Sequence, residues 1–215
     1  MKKLLLHDPL EIGHHLVYAV AFTEWALANG YELYYSKCPS KGNFYEERYA
    51  ENLHVHIIPY EVPGTDILRY FKGEGNAHQV AHIKKLQEEL QPEITLFQYA
   101  DRMMDEWDRM FVCGESFDFP TYCLLLWSAE NSYKGMTTEY DQQLKKQWGA
   151  NCLFDGIFVL NEYQACQLEK FDNVYYLPDP FRDFGANVVT FSERDRNNVA
   201  RIETFLAQNN SKKTI

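Results

Sequence analysis

The feature that most constrains the fold is an alternation that begins in the first 35 residues. "KLLLHD" (Lys3 to Asp8) is a short, continuous apolar run with a polar exit. That is the pattern of a strand buried on both faces of a parallel sheet. Leu16 to Asn29 then reads as a helix, apolar on nearly every side and stopped at Asn29-Gly30, where glycine can take the left-handed conformation. "YELYY" (Tyr31 to Tyr35) supplies the next strand. Together they make one βαβ unit, and a right-handed crossover is expected.

The alternation continues. "LHVHIIPY" (Leu53 to Tyr60) is a third strand, and Ala77 to Gln91 a helix with Val80, Ile83, Leu86 and Leu90 near one face and Pro92 beyond its end. "EITLFQY" (Glu93 to Tyr99), "YCLLLWS" (Tyr122 to Ser128), "GIFVLN" (Gly156 to Asn161) and a short "VYYLPD" are further strands. Helices are expected at Thr138 to Trp148 and Tyr163 to Phe171, the second capped by Asn161 with Gln164 in a capping-box pattern. A last helix opens at Ser192 and Asp195, with Val199, Ile202 and Leu206 on one stripe. The longest irregular stretches are Ser36 to Phe44 and Asp101 to Pro120. The expected fold is α/β: a doubly wound, mainly parallel sheet with helices on both faces.

The 215 residues, nearly half of them apolar, are enough for one large domain with a sizeable core. We expect a domain over residues 1–190, with residues 191–215 as a terminal helix and the start of a linker. The net charge of -10 and the lack of a Lys/Arg stripe argue against a grip on nucleic acid phosphates. The five cysteines (Cys38, Cys113, Cys123, Cys152, Cys166) form no CxxC pair, so most are expected to be reduced, buried hydrophobes. "MKKLLLHDPLEIGHH" is too briefly apolar for a signal peptide, and no run approaches a membrane span. A cytoplasmic location is expected, with peripheral association with a membrane left open.

In open α/β sheets ligands bind outside the carboxyl ends of the strands. The loop Pro9 to His15 lies there, and the next helix points free N–H groups at it. Gly13, His14 and His15 are therefore placed to meet an anion or a sugar. Equally, Gly13 could make the turn and the histidines could pack or cap. Neither GxGxxG nor GxxxxGK[ST] is present.

Three stretches carry a family resemblance. "EIGHHLVYAVAFTEWALANGYELYY" resembles the first loop and helix of retaining GT-B glycosyltransferases, whose loop is Gly-Gly-His-like; Ile12 replaces its first glycine. "LQEELQPEITLFQYAD" resembles their next helix, turn and strand, and "GIFVLNEYQACQLEKFDNVYYLPDPF" the end of their first domain. The resemblance spans nearly the whole chain. It implies the amino-terminal, acceptor-side half of an enzyme that moves a sugar from a nucleotide-sugar donor to an acceptor hydroxyl. It further implies that the donor-binding second domain is missing, "SKKTI" looking like its first strand, so that the chain is incomplete alone. The Gly13–His15 loop would then sit near the donor phosphates or the transferred sugar, and Asp101 and Glu130 would contact the acceptor. Neither a metal nor another cofactor is implied. The rival expectation is a non-catalytic scaffold or regulatory module that keeps the fold.

Asp101 and Arg102 follow the fourth strand and Glu130 and Asn131 the fifth, all at ligand-binding ends if the sheet is right. Carboxylates there could orient hydroxyls or accept a proton; capping and mutual pairing are the alternatives. "WSAENSY" mixes an aromatic, an acid and an amide, which suits sugar recognition, so Glu130 and Asn131 are favoured as ligand contacts. His78 and His82 share a helix face at i, i+4 but have no acidic third ligand, and His54 and His56 alternate on a strand; all four are expected at the surface. "GES" (Gly114 to Ser116) is not a nucleophile elbow and is expected to be a structural loop. Trp25, Trp107, Trp127 and Trp148 are scattered, and most are expected in the core.

Overall fold

The computed structural model describes residues 1–9, 15–37, 44–60, 75–125, 153–160, 165–166 and 172–177. All lie in one compact unit, Met1–Pro180; a second unit, Phe181–Ile215, lies outside the described residues. In chain order the elements are β1 (Lys2–Asp8), α1 (His15–Ala28), β2 (Tyr31–Lys37), α2 (Phe44–Tyr49), β3 (Val55–Pro59), α3 (Asn76–Leu90) and β4 (Ile94–Phe97). A 3-10 turn at Ala100–Met103 leads into α4 (Met104–Val112), followed by β5 (Thr121–Leu125), β6 (Gly156–Val159) and β7 (Val174–Tyr176).

The strands form one seven-stranded sheet in the order β3-β2-β1-β4-β5-β6-β7, and every pairing is parallel. The winding direction reverses between β1 and β4. Their carboxyl ends therefore open onto the crevice where ligands bind in sheets of this kind. Strand side chains alternate between faces. Leu5 and Phe97 point into a core with Val80 and Ile83 of α3, Trp107 and Met110 of α4, and Ile157 and Val159 of β6. Leu4 and Leu96 face the other way, toward α1, where with Phe22, Trp25, Tyr122 and Phe158 they border an apolar cavity of about 330 Å³. Helices thus lie on both faces, as the doubly wound reading expects.

Local chemistry sets the boundaries. Gly30, at φ +75°, ends α1, its N–H bonding Leu27 O. At the end of α4, Gly114 takes φ +66°, with Gly114 N–H on Phe111 O and Glu115 N–H on Met110 O. That paired arrangement closes a helix through a left-handed residue. "GES" is therefore the cap of a helix, in a stretch that the sequence reads as irregular. The helix escapes notice because four charged residues, Asp105, Glu106, Asp108 and Arg109, interrupt its apolar ones, and because Glu106 and Glu115 both hold Arg109. A second helix, Phe44–Tyr49, begins where the irregular stretch Ser36 to Phe44 ends, in residues to which the sequence assigns no element; α2 buries Tyr45 and Tyr49. Tyr45 stacks at a tilt on Tyr35, and its hydroxyl lies 2.6 Å from Thr23 Oγ1.

Three further expectations are met only in part among the described residues. Among the described cysteines only Cys123 is buried; Cys113 and Cys166 are exposed. Trp107 is fully buried, but Trp25 is 47% exposed and stacks on Tyr31. His82 is half-buried against Tyr60, whereas His54 and His78 stand at the surface, as does His56, its side chain 40% exposed while it pairs with Glu32 and stacks on Tyr34. Trp127, Trp148, Cys38, Cys152 and the helices expected at 138–148 and from Ser192 lie outside the described residues.

Candidate functional site

Asp8 closes β1 and His15 opens α1, so the crossover loop brings them together at the carboxyl edge of the sheet. Asp8 is fully buried and His15 is 2% exposed. The His15 Nδ1 lies 2.6 Å from Asp8 Oδ1. The second oxygen of Asp8 accepts from the Tyr35 hydroxyl at 3.2 Å and from the Gln98 side-chain amide at 3.4 Å. The strand order explains these neighbours: Tyr35 comes from β2 and Gln98 from the end of β4, on either side of β1. A carboxylate that receives three donors is an acceptor, so Nδ1 carries the ring hydrogen and donates it.

That assignment fixes the chemistry of the ring. With its hydrogen on Nδ1, the imidazole presents a lone pair at Nε2, which has no hydrogen-bond partner among the described residues. An Asp-oriented imidazole with a lone pair on its far nitrogen is suited to take a proton from a hydroxyl. Tyr99 adds a second restraint. Its ring stacks on His15 with centroids 3.2 Å apart and planes 18° from parallel. Tyr99 holds φ +53°, a left-handed conformation that is costly for a side chain of this size. It turns the chain sharply after β4 and lays the ring against His15.

Around this pair the edge is lined with polar groups. Lys37, 3% exposed at the end of β2, meets Glu46 Oε1 of α2 at 2.5 Å. On the opposite face of β1, His7 is sealed from solvent between Ser36 Oγ (3.2 Å from Nδ1) and Gln79 Oε1 (2.8 Å from Nε2). Burial lowers the pKa of His7 to about 4, outweighing the Gln79 hydrogen bond and the Asp8 charge, which raise it. Its ring therefore stays neutral and serves as a hydrogen-bonded strut between sheet and α3. His82 is also shifted down, first by burial and then by Lys85.

Of the residues that the sequence singles out, the described ones are His15 and Asp101. His15 stands at the centre of the cluster. Asp101, in the turn after Tyr99, is 8% exposed and faces the β5 core, where its charge adds to the burial that raises the Cys123 thiol. Gly13, His14, Glu130 and Asn131 lie outside the described residues, as does the proposed helix cap Asn161. Sequence reading passes over Asp8, Tyr35, Gln98 and Tyr99. The available signal is the polar exit of two apolar strands, "HD" after β1 and "QY" after β4. Among the described residues no group of three or more His, Cys, Asp or Glu side chains could hold a metal, and no helix is long and apolar enough to cross a membrane.

No protein-family model matches this chain, and no curated protein matches it. Solved structures do. UGT89C1 of Arabidopsis thaliana, complexed with UDP-L-rhamnose, aligns over 96% of this chain and 55% of its own, at a TM-score of 0.55 and 12% identity. LpCGTa in complex with UDP aligns over 85% of this chain and 55% of its own (TM-score 0.53, 11% identity). UGT2 of Phytolacca americana, complexed with UDP-2fluoro-glucose and pterostilbene, also aligns over 85% and 55% (TM-score 0.51, 12% identity). These neighbours are GT-B glycosyltransferases, and at such identities the likeness is one of fold. The chain spans about half the length of these three solved chains.

Proposed function

We propose that this chain is the acceptor-side half of a GT-B glycosyltransferase, with His15 as the base that activates an acceptor hydroxyl. The observation that carries the reading is the hydrogen bond from His15 Nδ1 to buried Asp8 at the ligand-binding edge of the sheet. The structural neighbours, solved with UDP or UDP-sugars, support a nucleotide-sugar donor. That donor would be held by a second domain, facing the edge where Gly13, His14, Glu130 and Asn131 are proposed to contact the sugars.

In the reaction the acceptor O–H proton passes to His15 Nε2. The oxygen forms a bond to the anomeric carbon of the donor sugar. The bond from that carbon to the diphosphate oxygen breaks, and the nucleoside diphosphate leaves with the electron pair. Asp8 keeps Nδ1–H in place and stabilises the imidazolium, as a carboxylate does beside a catalytic imidazole. Direct displacement of this kind inverts the anomeric configuration. The dyad therefore favours inversion over the retaining course that the sequence resemblance implies.

The test is release of nucleoside diphosphate by the natural full-length protein, with a panel of UDP-sugars and hydroxyl acceptors. His15→Ala is expected to lower turnover by roughly 10²- to 10⁴-fold, the usual worth of a positioned general base, with little change in donor KM. The anomeric proton coupling of the product reads the stereochemistry. Undiminished turnover in His15→Ala sinks the role of His15, and a retained configuration sinks direct displacement. A scaffold reading is favoured by the near-complete burial of His15. It prevails if no donor and acceptor pair gives product while the fold is intact.

A further inference from the structure

We propose that the cavity between α1 and the open half of the sheet is a binding site for a neutral, flat, polycyclic aromatic molecule. Sugar transfer plays no part in that assignment.

The cavity follows from how the chain winds. Helices α1 and α2 carry it from β1 to β2 and β3 on one face of the sheet, with Tyr45 of α2 packing on Tyr35. Helices α3 and α4 lie on the other face, where Val80 and Trp107 join Phe97, Cys123 and Ile157. Among the described residues, no helix therefore covers β4, β5 and β6 on the α1 side. Tyr18, Ala21, Phe22 and Trp25 recur on one stripe of α1 and form a wall of the cavity. Ile94, Leu96, Tyr122 and Phe158 form its floor. Ile94 opens β4 and Trp25 lies in the last turn of α1, so the cavity sits toward the amino ends of the strands. Asp8 and His15 stand at the opposite ends.

The floor is flat because β6 brings no side chain at Gly156. A Cβ there would sit 2.6 Å from Tyr122 Cδ1 and 3.2 Å from Tyr175 Cε2, so these rings lie over the glycine. Tyr122 and Phe158 are 24° from parallel, with centroids 6.1 Å apart. At the mouth Trp25 is held by stacking on Tyr31, 26° from parallel. Ring faces set this way receive a flat aromatic guest by offset stacking. The volume of about 330 Å³ is roughly twice that of an engineered apolar cavity that stays dry and admits benzene, which gives room for two or three rings. An extended peptide would bring N–H and C=O groups that these walls cannot pair. An apolar interior with a polar rim is the usual form of a ligand groove. At the rim the Lys2 charge is matched by Glu93 at 3.8 Å. Burial, and then the Asp155 charge, raises the pKa of the Tyr122 hydroxyl, which therefore stays neutral. An anionic guest would meet the Asp155 carboxylate and lose its own hydration, so a neutral one is favoured.

The probe is phenylnaphthylamine, a neutral compound of fused and single rings whose emission rises in apolar surroundings, titrated into the natural full-length protein. Saturation at one probe per chain is expected. Its sulfonated relative, anilinonaphthalene sulfonate, should bind at least about tenfold more weakly. Trp25→Ala should weaken the neutral probe about three- to tenfold through loss of a stacking face. Ala21→Trp, which sends an indole into the cavity from the half-exposed flank of α1, should abolish binding. No saturable binding, equal affinity for the two probes, or binding undisturbed in Ala21→Trp overturns the proposal. So does a dimer in sedimentation that Ala21→Trp dissociates while the probe fails to bind, which would give the face to a second copy of the chain. Should Ala21→Trp fail to fold by near-ultraviolet circular dichroism, Trp25→Ala decides, since that side chain is 47% exposed and the core does not depend on it; unchanged affinity there overturns the proposal.

Discussion

Replacing His7 with glutamine should flatten the acid side of the stability profile. The folded chain keeps His7 neutral down to a pKa of about 4, against 6.5 for the free side chain. Burial is the cause, since the ring is sealed beneath Tyr60 and Phe97. Between those values the unfolded chain binds a proton that the folded chain refuses. Stability therefore rises with pH across the window and is lost as pH falls from 6.5 toward 4. A shift of this size corresponds to roughly 3 kcal/mol when fully expressed, and roughly 2 kcal/mol is lost between pH 7 and pH 5. The assay is urea unfolding from pH 4 to 8, followed by tryptophan fluorescence, on wild type and His7→Gln. His82, shifted in the same direction, titrates in both proteins, so that only its smaller charge coupling to His7 survives in the difference. The gap between the two curves should shrink by that amount as the pH drops. A gap that is constant with pH would refute the argument, because it would mean that His7 takes up its proton equally well in both states.

Three other substitutions read the fold. Trp107→Ala should cost about 3–5 kcal/mol in urea unfolding, since the indole is fully buried and its N–H donates to Ala100 O at 2.7 Å. Gly156→Ala should cost roughly 1–3 kcal/mol, because a Cβ there would sit 2.6 Å from Tyr122 Cδ1; Tyr122→Ser in the same chain should recover most of the loss in a thermal melt. Gly114→Ala should cost only about 1 kcal/mol, since nothing lies within 4 Å of the new Cβ and the left-handed backbone is the whole penalty; a loss several times larger would mean that the helix end is packed more tightly than described.

The parallel sheet was legible because its strands are short apolar runs with punctuated ends. "KLLLHD", "EITLFQY" and "GIFVLN" each predict a strand, and each matches one to within a few residues. The errors fall where polarity hides burial. Helix α2 is assigned no element from sequence because Glu46, Glu47 and Arg48 stand between its two buried tyrosines. Helix α4 is masked by carboxylates that Arg109 neutralises. His15 was visible at the candidate site from its position after β1. Asp8, Tyr35 and Gln98 were not, since each ends or interrupts an apolar pattern and only the strand order 2-1-4 sets them side by side.

The reversal of winding beside β1 has a consequence for how the chain assembles. Leu4 pairs with Leu33 on one flank, 29 residues on, and with Ile94 on the other, 90 residues on. During synthesis at about 5–20 residues per second, β1, β2 and β3 are complete seconds before β4 emerges. Through that interval β1, an interior strand of the finished sheet, leaves one edge unpaired with Leu4, Leu5 and Leu6 in a row. Such an edge is a template for pairing with another chain. Closing it requires the long-range contact that slows folding most. The arrival of β4 is therefore the step at which this protein is committed either to its own sheet or to a neighbour's.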